Sequence, residues 1–191
     1  MIAPRAAVIL AGGQGRRLGG QDKPALLVGG RPLLDRALEA VADWPIVVVG
    51  PPRTLPAGVR TAAEDPPGGG PAAGVAAGFA ALPDLPDSAI VAVLAADLPG
   101  IDVATISRLS DALSASSGAD GAVLLDPTGR RQYLIGVWRC GALLAAIARR
   151  PEWHDRPLRE LLEPISVIEI PGSDREAADI DTPSDLRRWQ A

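Results

Sequence analysis

Five glycines, two arginines and a lysine crowd the stretch between Leu10 and Pro24. Gly12, Gly13, Gly15, Gly19 and Gly20 accept φ > 0 and carry no Cβ, so backbone N–H groups there can approach a ligand closely. Arg16, Arg17 and Lys23 bring positive charge to the same loop, and the combination suits a polyphosphate. Two common phosphate loops fail letter by letter. The dinucleotide fingerprint started at Gly13 and Gly15 needs a third glycine where Leu18 stands, and the P-loop pattern started at Gly15 meets Gln21 and Asp22 in place of Lys and Ser or Thr.

Carboxylates are the natural complement. Asp97 closes Ala89–Ala96, the most apolar run of the chain, just before Leu98-Pro99-Gly100. Ligands of open α/β sheets bind outside the carboxyl ends of the strands, so this position suits a metal ligand; an Asp there serves equally well to start a turn before Pro99. Asp179 and Asp181 alternate along extended chain and so face one side, where a second carboxylate could assist the metal or contact an acceptor. Arg156 and Arg159, three apart on an expected helix, could meet an anionic acceptor or form a solvated face. His154 is the single histidine. With no cysteine or histidine companions and no nucleophile pattern nearby, it points to a surface role.

The elements that must position these groups follow from periodicity. Ala6–Ala11, with β-branched Val8 and Ile9, suits a buried parallel strand; Ile46–Val49 reads as a second buried strand, Val59–Ala63 as a third, Ala89–Ala96 as the most apolar strand and Ser166–Ile170 as the last. Leu34, Ala37, Leu38 and Val41 recur at helical spacing and predict a helix over Leu33 to Ala42. Further helices are expected from Pro71, over Asp102–Ser114, over Gly141–Arg150 and over Arg156–Leu162. Gly74 and Gly78, four apart, leave one helix face bare for close packing. Gly121–Leu125 and Gln132–Trp138 predict a hairpin around Asp126-Pro127-Thr128-Gly129, an excursion with Arg131 and Gln132 at its mouth. Thr182, Pro183 and Asp185 have the form of a capped start to a closing helix. Strand, helix, strand points to a parallel sheet with right-handed crossovers.

The run L-A-G-G-x-x-x-R-L-G-x-x-x-K, Leu10 to Lys23, resembles the signature of nucleotidyltransferases that activate sugars, cofactors and alcohols with an NTP. Its Gly19-Gly20-Gln21-Asp22-Lys23 ending is most similar to the molybdenum cofactor guanylyltransferases. The likeness spans Ala6 to Gln190 and includes Asp65 with Gly70-Pro71-Ala72-Ala73-Gly74, Asp97, and Asp179-Ile180-Asp181-Thr182-Pro183. There this chain departs from the family's N-x-N-T-P by two aspartates, which repel an anionic acceptor unless a metal lies between. Related cytidylyltransferases often show D-x-D-T-P.

The resemblance implies a doubly wound, mainly parallel, Rossmann-like α/β fold, read as a single domain over residues 1–191. It implies transfer of GMP from GTP to the phosphate of molybdenum-molybdopterin, with release of pyrophosphate. Leu10, Ala11, Gly12, Gly13, Lys23, Asp65 and Asp97 would bind the nucleotide, with Asp65 toward the guanosine. Arg17, Lys23 and Asp97 would be catalytic, Asp97 with Asp181 would hold Mg2+, and Arg156, Arg159 and Asp179 would meet the acceptor. Transfer of CMP or another nucleotide to molybdopterin, a sugar phosphate or a phospho-alcohol is the enzymatic alternative. A nucleotide-sensing module without turnover is the alternative of another class, against which intact Lys23 and Asp97 argue.

Composition narrows the remaining choices. Among 191 residues, 21 glycines and 19 prolines stay below the ~25–30% at which low-complexity disorder sets in. A net charge of −4 and no basic run beyond pairs argue against non-specific nucleic-acid binding. Cys140, the single cysteine, cannot form an intramolecular disulfide and suits a small buried hydrophobe. With no signal peptide before the first strand and no apolar run of ~20 residues, the expectation is a cytoplasmic protein without membrane contact, and a monomer.

Overall fold

A computed structural model describes residues 3–13 and 18–190. The chain opens with β1 (Arg5–Leu10), a 3-10 turn (Lys23–Ala25), β2 (Leu27–Val28), β3 (Arg31–Pro32) and α1 (Leu33–Ala40). It continues through β4 (Ile46–Val49), β5 (Arg60–Ala62), α2 (Gly70–Ala80), β6 (Ile90–Ala95) and α3 (Val103–Ala115). β7 (Gly121–Leu125), β8 (Arg131–Arg139), α4 (Cys140–Ala148) and α5 (Leu158–Leu162) follow, then β9 (Val167–Pro171), α6 (Asp174–Ala177) and α7 (Pro183–Gln190).

Seven strands form one sheet in the order β5-β4-β1-β6-β8-β7-β9. Every neighbouring pair is parallel except those of β8, which runs antiparallel to both β6 and β7. The doubly wound, mainly parallel fold is thus present. The hairpin is present too, but its second strand is built into the main sheet between β6 and β7.

Strand alternation divides the core into two layers. Ala7 and Ile9 of β1 and Ile90, Ala92 and Leu94 of β6 pack with Leu34, Leu38, Ile106 and Leu109 of α1 and α3. Val8, Val91 and Val93 point the other way, onto Ala72 and Val75 of α2 and Leu143 of α4. The central strands β4, β1 and β6 are apolar on both faces because each face carries helices, which is why these runs read as continuous rather than alternating. The strand expected as buried over Val59–Ala63 is instead an edge strand with Arg60 and Thr61 exposed, because the sheet ends there and no further strand among the described residues covers it. A smaller cluster of Leu18, Val28, Leu33 and Ile180 ties the first loop to the segment before α7. No helix among the described residues is long and apolar enough to cross a membrane.

The bare face of α2 lies directly on the sheet. A Cβ on Gly78 would come within 2.4 Å of Val8 Cγ1 and 2.7 Å of Val49 Cγ2. Helix propensity alone would favour Gly78→Ala by about 1 kcal/mol. Overpacking costs about 1–3 kcal/mol and wins here, because two branched side chains of two strands would have to move. Gly78→Ala is therefore expected to lower the denaturation midpoint, a net loss of up to about 2 kcal/mol. A stabilised variant would show that this helix can lift off the sheet at little cost.

Gly29 and Gly30 both take positive φ, 58° and 76°, so Leu27–Pro32 closes as a small hairpin before α1. Two further local features differ from the sequence reading. The helix expected from Arg156 begins at Leu158, because Pro157 holds an extended φ/ψ and biases Arg156 away from helix. The short helix α6 was not anticipated, although Ser173 and Glu176 form a full capping box in front of it. Thr182 and Asp185 cap α7 reciprocally as expected, Asp185 N donating to Thr182 Oγ1 at 3.2 Å and Thr182 N to Asp185 Oδ2 at 2.8 Å.

Candidate active site

The strand order reverses direction between β1 and β6: β4 and β5 extend the sheet on one side of β1, and β6 opens the other. Such a switch point leaves a crevice at the carboxyl ends of the two strands, where ligands of doubly wound folds bind. Gly12 and Gly13 leave β1 there, Ala96 and Asp97 leave β6, and all four line a cleft of about 320 Å³. Lys23 and Pro24 of the 3-10 turn form another wall, and Gly70 and Pro71 at the start of α2 a third.

Three charged groups far apart in sequence meet at this crevice. Lys23 Nζ donates to Asp97 Oδ2 at 3.4 Å and also to Asp181 Oδ1. Asp181 is brought in from the far end of the chain: Ile180 is fully buried and its N donates to Asp97 O at 3.2 Å. Burial works against the Lys23 ammonium, but its hydrogen bond to Asp181 and the charges of Asp97 and Asp181 outweigh that and hold its pKa above the ordinary lysine value. Burial pushes the Asp97 carboxyl up, and Lys23 offsets only part of the effect. Asp179 is also pushed up, first by burial and then by the charges of Asp181 and Asp97.

Three carboxylates close to one ammonium are an electrostatic setting for a cation. Among the described residues, no group of three or more His, Cys, Asp or Glu side chains is arranged to hold a metal by itself. Asp97 and Asp181 nevertheless converge on a single cationic atom and offer only carboxylate oxygens, the donor chemistry of a hard divalent ion that takes its remaining ligands from water and phosphate.

The other expected residues fall in different places. Leu10, Gly12 and Gly13 line the cleft. Ala11 is buried beneath it. Arg17 lies outside the described residues. Asp65 is exposed and does not line the cleft; its neighbour Glu64 does, half-buried against α2, where a Cβ on Gly74 would lie 3.2 Å from Glu64 Oε1. Two adjacent acids in a loop cannot be told apart by pattern, since which one turns inward depends on the loop's path. Arg156 is exposed and precedes α5, so the two arginines do not share a helix face. Arg159 pairs with Glu163 at 2.9 Å on the outer surface of α5. Asp179 opens onto a separate shallow depression beside Arg175 and Arg188.

His154 has a more specific position than a plain surface role. It packs on Gly69, where a Cβ would come within 2.7 Å of its Nδ1, and Asp155 N donates to Gly69 O at 2.8 Å. The segment Trp153–Asp155 thereby braces the glycine loop that leads into α2. Nothing in the local sequence signalled this contact, because it joins segments more than eighty residues apart.

The family model for the MobA-like NTP transferase domain matches residues 7–168, most of the chain and all of the crevice except its closing aspartates. The chain belongs to the MobA-like NTP transferase family. It is a nucleotidyltransferase, and members of this family typically work with a divalent metal. A probable molybdenum cofactor guanylyltransferase of Natronomonas pharaonis is 31% identical over 98% of this chain and 97% of its own length. The bifunctional enzyme IspD/IspF of Sphingopyxis alaskensis is 36% identical over 64% of this chain, which spans 32% of that longer protein. The crystal structure of molybdopterin-guanine dinucleotide biosynthesis protein A from Archaeoglobus fulgidus superposes with a TM-score of 0.71 at 21% identity, covering 97% of this chain and 96% of that one. That likeness speaks for the fold.

Proposed function

We propose that this chain transfers GMP from GTP to the phosphate of a molybdopterin-type acceptor and releases pyrophosphate. The observation that carries the reading is the meeting of Lys23, Asp97 and Asp181 beside Gly12 and Gly13 at the switch point. A relative that covers nearly the whole chain, a probable guanylyltransferase, supports the choice of nucleotide.

In the proposed step an oxygen of the acceptor phosphate bonds to the α-phosphorus of the nucleotide. The bond from that phosphorus to the β-bridging oxygen breaks, and its electron pair leaves with pyrophosphate. The attacking oxygen of a phosphate is already ionised near neutral pH, so no side chain has to remove a proton. This agrees with a crevice that has carboxylates and an ammonium and no histidine at the reacting centre. Gly12 and Gly13 offer backbone N–H groups to the triphosphate, and Lys23 stabilises negative charge that moves toward the pyrophosphate. Magnesium bound by Asp97, with Asp181 as second ligand, would supply charge neutralisation on the phosphates. Arg17 would add a second cationic side chain. Glu64, which lines the cleft, would meet the base, since guanine presents two adjacent N–H donors that one carboxylate can accept together.

A second reading, CMP transfer to a phospho-alcohol, has a specific observation behind it. Asp179 and Asp181 stand where guanylyltransferases carry asparagines, and IspD/IspF is among the relatives. Thermal shift with each of the four NTPs, with magnesium and with EDTA, separates the two, because a ligand that binds the native state raises apparent stability by mass action. GTP with magnesium is expected to raise Tm by several degrees, the scale of about 2.7 kcal/mol at a hundredfold excess over Kd. A shift confined to CTP would favour the second reading, and no shift with any nucleotide would remove both.

A further inference from the structure

Arg53 lies outside every motif of the sequence and outside the cleft, yet it touches both ends of the glycine loop. Its Nη2 donates to Ala11 O at 2.8 Å, where β1 ends. The same guanidinium reaches the Asp22 carboxylate, Nη1 to Oδ2 at 3.3 Å and Nη2 to Oδ1 at 3.4 Å. Asp22 immediately precedes Lys23. It occupies the cap position of the 3-10 turn but makes no side-chain cap bond, and its carboxylate turns toward Arg53 instead. The Arg53 side chain is 13% exposed and that of Asp22 58%.

The path that brings Arg53 here is equally specific. β4 exits at Gly50 with φ 150°, and a Cβ at that position would lie 2.7 Å from Ala11 O. Only a glycine lets the chain cross so close over the end of β1. Three residues later the guanidinium reaches back under the crossing to the carbonyl that Gly50 passes. Two phosphate-contacting features, the Gly12–Gly13 amides and the Lys23 ammonium, belong to separate segments. Arg53 bonds both segments at once. A planar fork with several donors can do this; an ammonium is a point charge and cannot hold a carbonyl and a carboxylate in one fixed geometry.

We propose that Arg53 is a positioning residue for nucleotide binding, a clasp that sets the spacing between the Gly12–Gly13 amides and Lys23 through its bonds to Ala11 and Asp22. The inference rests on the reading that this crevice binds an NTP. The bond to Ala11 is the short, sheltered half of the clasp, and the fork to Asp22 the longer, more exposed half. Losing the whole clasp should therefore weaken nucleotide binding more than losing the Asp22 half.

Equilibrium dissociation constants for GTP with magnesium, measured by calorimetry on the full chain and paired with Tm, test this. Arg53→Gln is expected to raise Kd about tenfold, the scale of one charge-assisted hydrogen bond. Asp22→Asn and Arg53→Lys should each raise it about threefold, since exposed charge pairs contribute less. The double variant Arg53→Gln with Asp22→Asn should remain near tenfold, because both changes undo one unit. A merely structural arginine would instead lower Tm and the fraction of active protein while leaving Kd unchanged. A Kd for Arg53→Gln within twofold of wild type, or a double variant near thirtyfold, overturns the clasp. Asp22→Asn changes only an exposed carboxylate, so an unchanged Kd in that variant overturns it even where Arg53→Gln does not fold. Wild-type protein that binds neither GTP nor CTP with magnesium has a different meaning: it removes the nucleotidyl-transfer reading, and the clasp with it.

Discussion

Asp97→Asn is expected to lower turnover about a thousandfold while leaving the fold intact. The substitution keeps the shape of the side chain and removes its charge. Several kcal/mol of transition-state stabilisation come from a metal on a transferring phosphoryl group, and each 1.36 kcal/mol is a factor of ten in rate, so the loss of a principal ligand reaches about 10³. Stability should move the other way. Burial already pushes the Asp97 carboxyl up, which means that the folded protein disfavours its charged form. A neutral amide relieves that cost, so Tm should hold or rise by a few degrees, the usual relation between a strained functional group and stability. Steady-state pyrophosphate release and a melting curve on the same preparation check both halves. A turnover loss below tenfold would take Asp97 out of the reacting centre and return it to the role of a turn residue before Pro99.

Lys23→Ala is expected to reduce turnover by about 10²–10³, the range measured when one preorganised donor to a developing oxyanion is removed. The ammonium sits between Asp97 and Asp181, so its position does not have to be organised at the moment of reaction. Its pKa lies above the ordinary lysine value, so it is charged at every pH where the enzyme would work. Lys23→Arg makes a useful companion, because it keeps the charge and changes the shape. Recovery of most of the lost rate by arginine would mean that charge dominates; no recovery would mean that the compact geometry of the ammonium between two carboxylates matters as much. Turnover in Lys23→Ala within tenfold of wild type would show that the loop amides carry the phosphates without it.

Much of the architecture was legible from local pattern. Ile46–Val49 is a strand with the bounds that its β-branched run predicts. Thr182, Pro183 and Asp185 start α7 by chemistry contained in four consecutive residues. Gly74 and Gly78 foretold a close helix-on-sheet contact, since a face without side chains has few other uses. These readings hold because each depends on interactions between residues a few positions apart: a period of two or nearly four, a cap, a bend. The parallel pairing of β1 with β4 agrees with the strand-helix-strand pattern of the same stretch, whereas the order in which the strands lie in the sheet is set by the fold.

Tertiary structure decided the rest, and the reason is the same in each case. Lys23 meets Asp181 across 158 residues of sequence, and Arg53 reaches Ala11 across 42 and Asp22 across 31. No periodicity encodes such meetings; they exist only after the sheet has closed and placed strand ends side by side. The exchange of Asp65 for Glu64 at the cleft depends on one loop's path, and β8's place in the main sheet depends on pairing partners drawn from distant segments. The sequence by itself determined which chemical groups this protein possesses and on which elements they stand: a glycine loop after a strand, a lysine, an aspartate at the end of the most apolar run. Only the folded chain decided which of those groups share one small volume, because burial and charge act through space, and distances through space are set by packing.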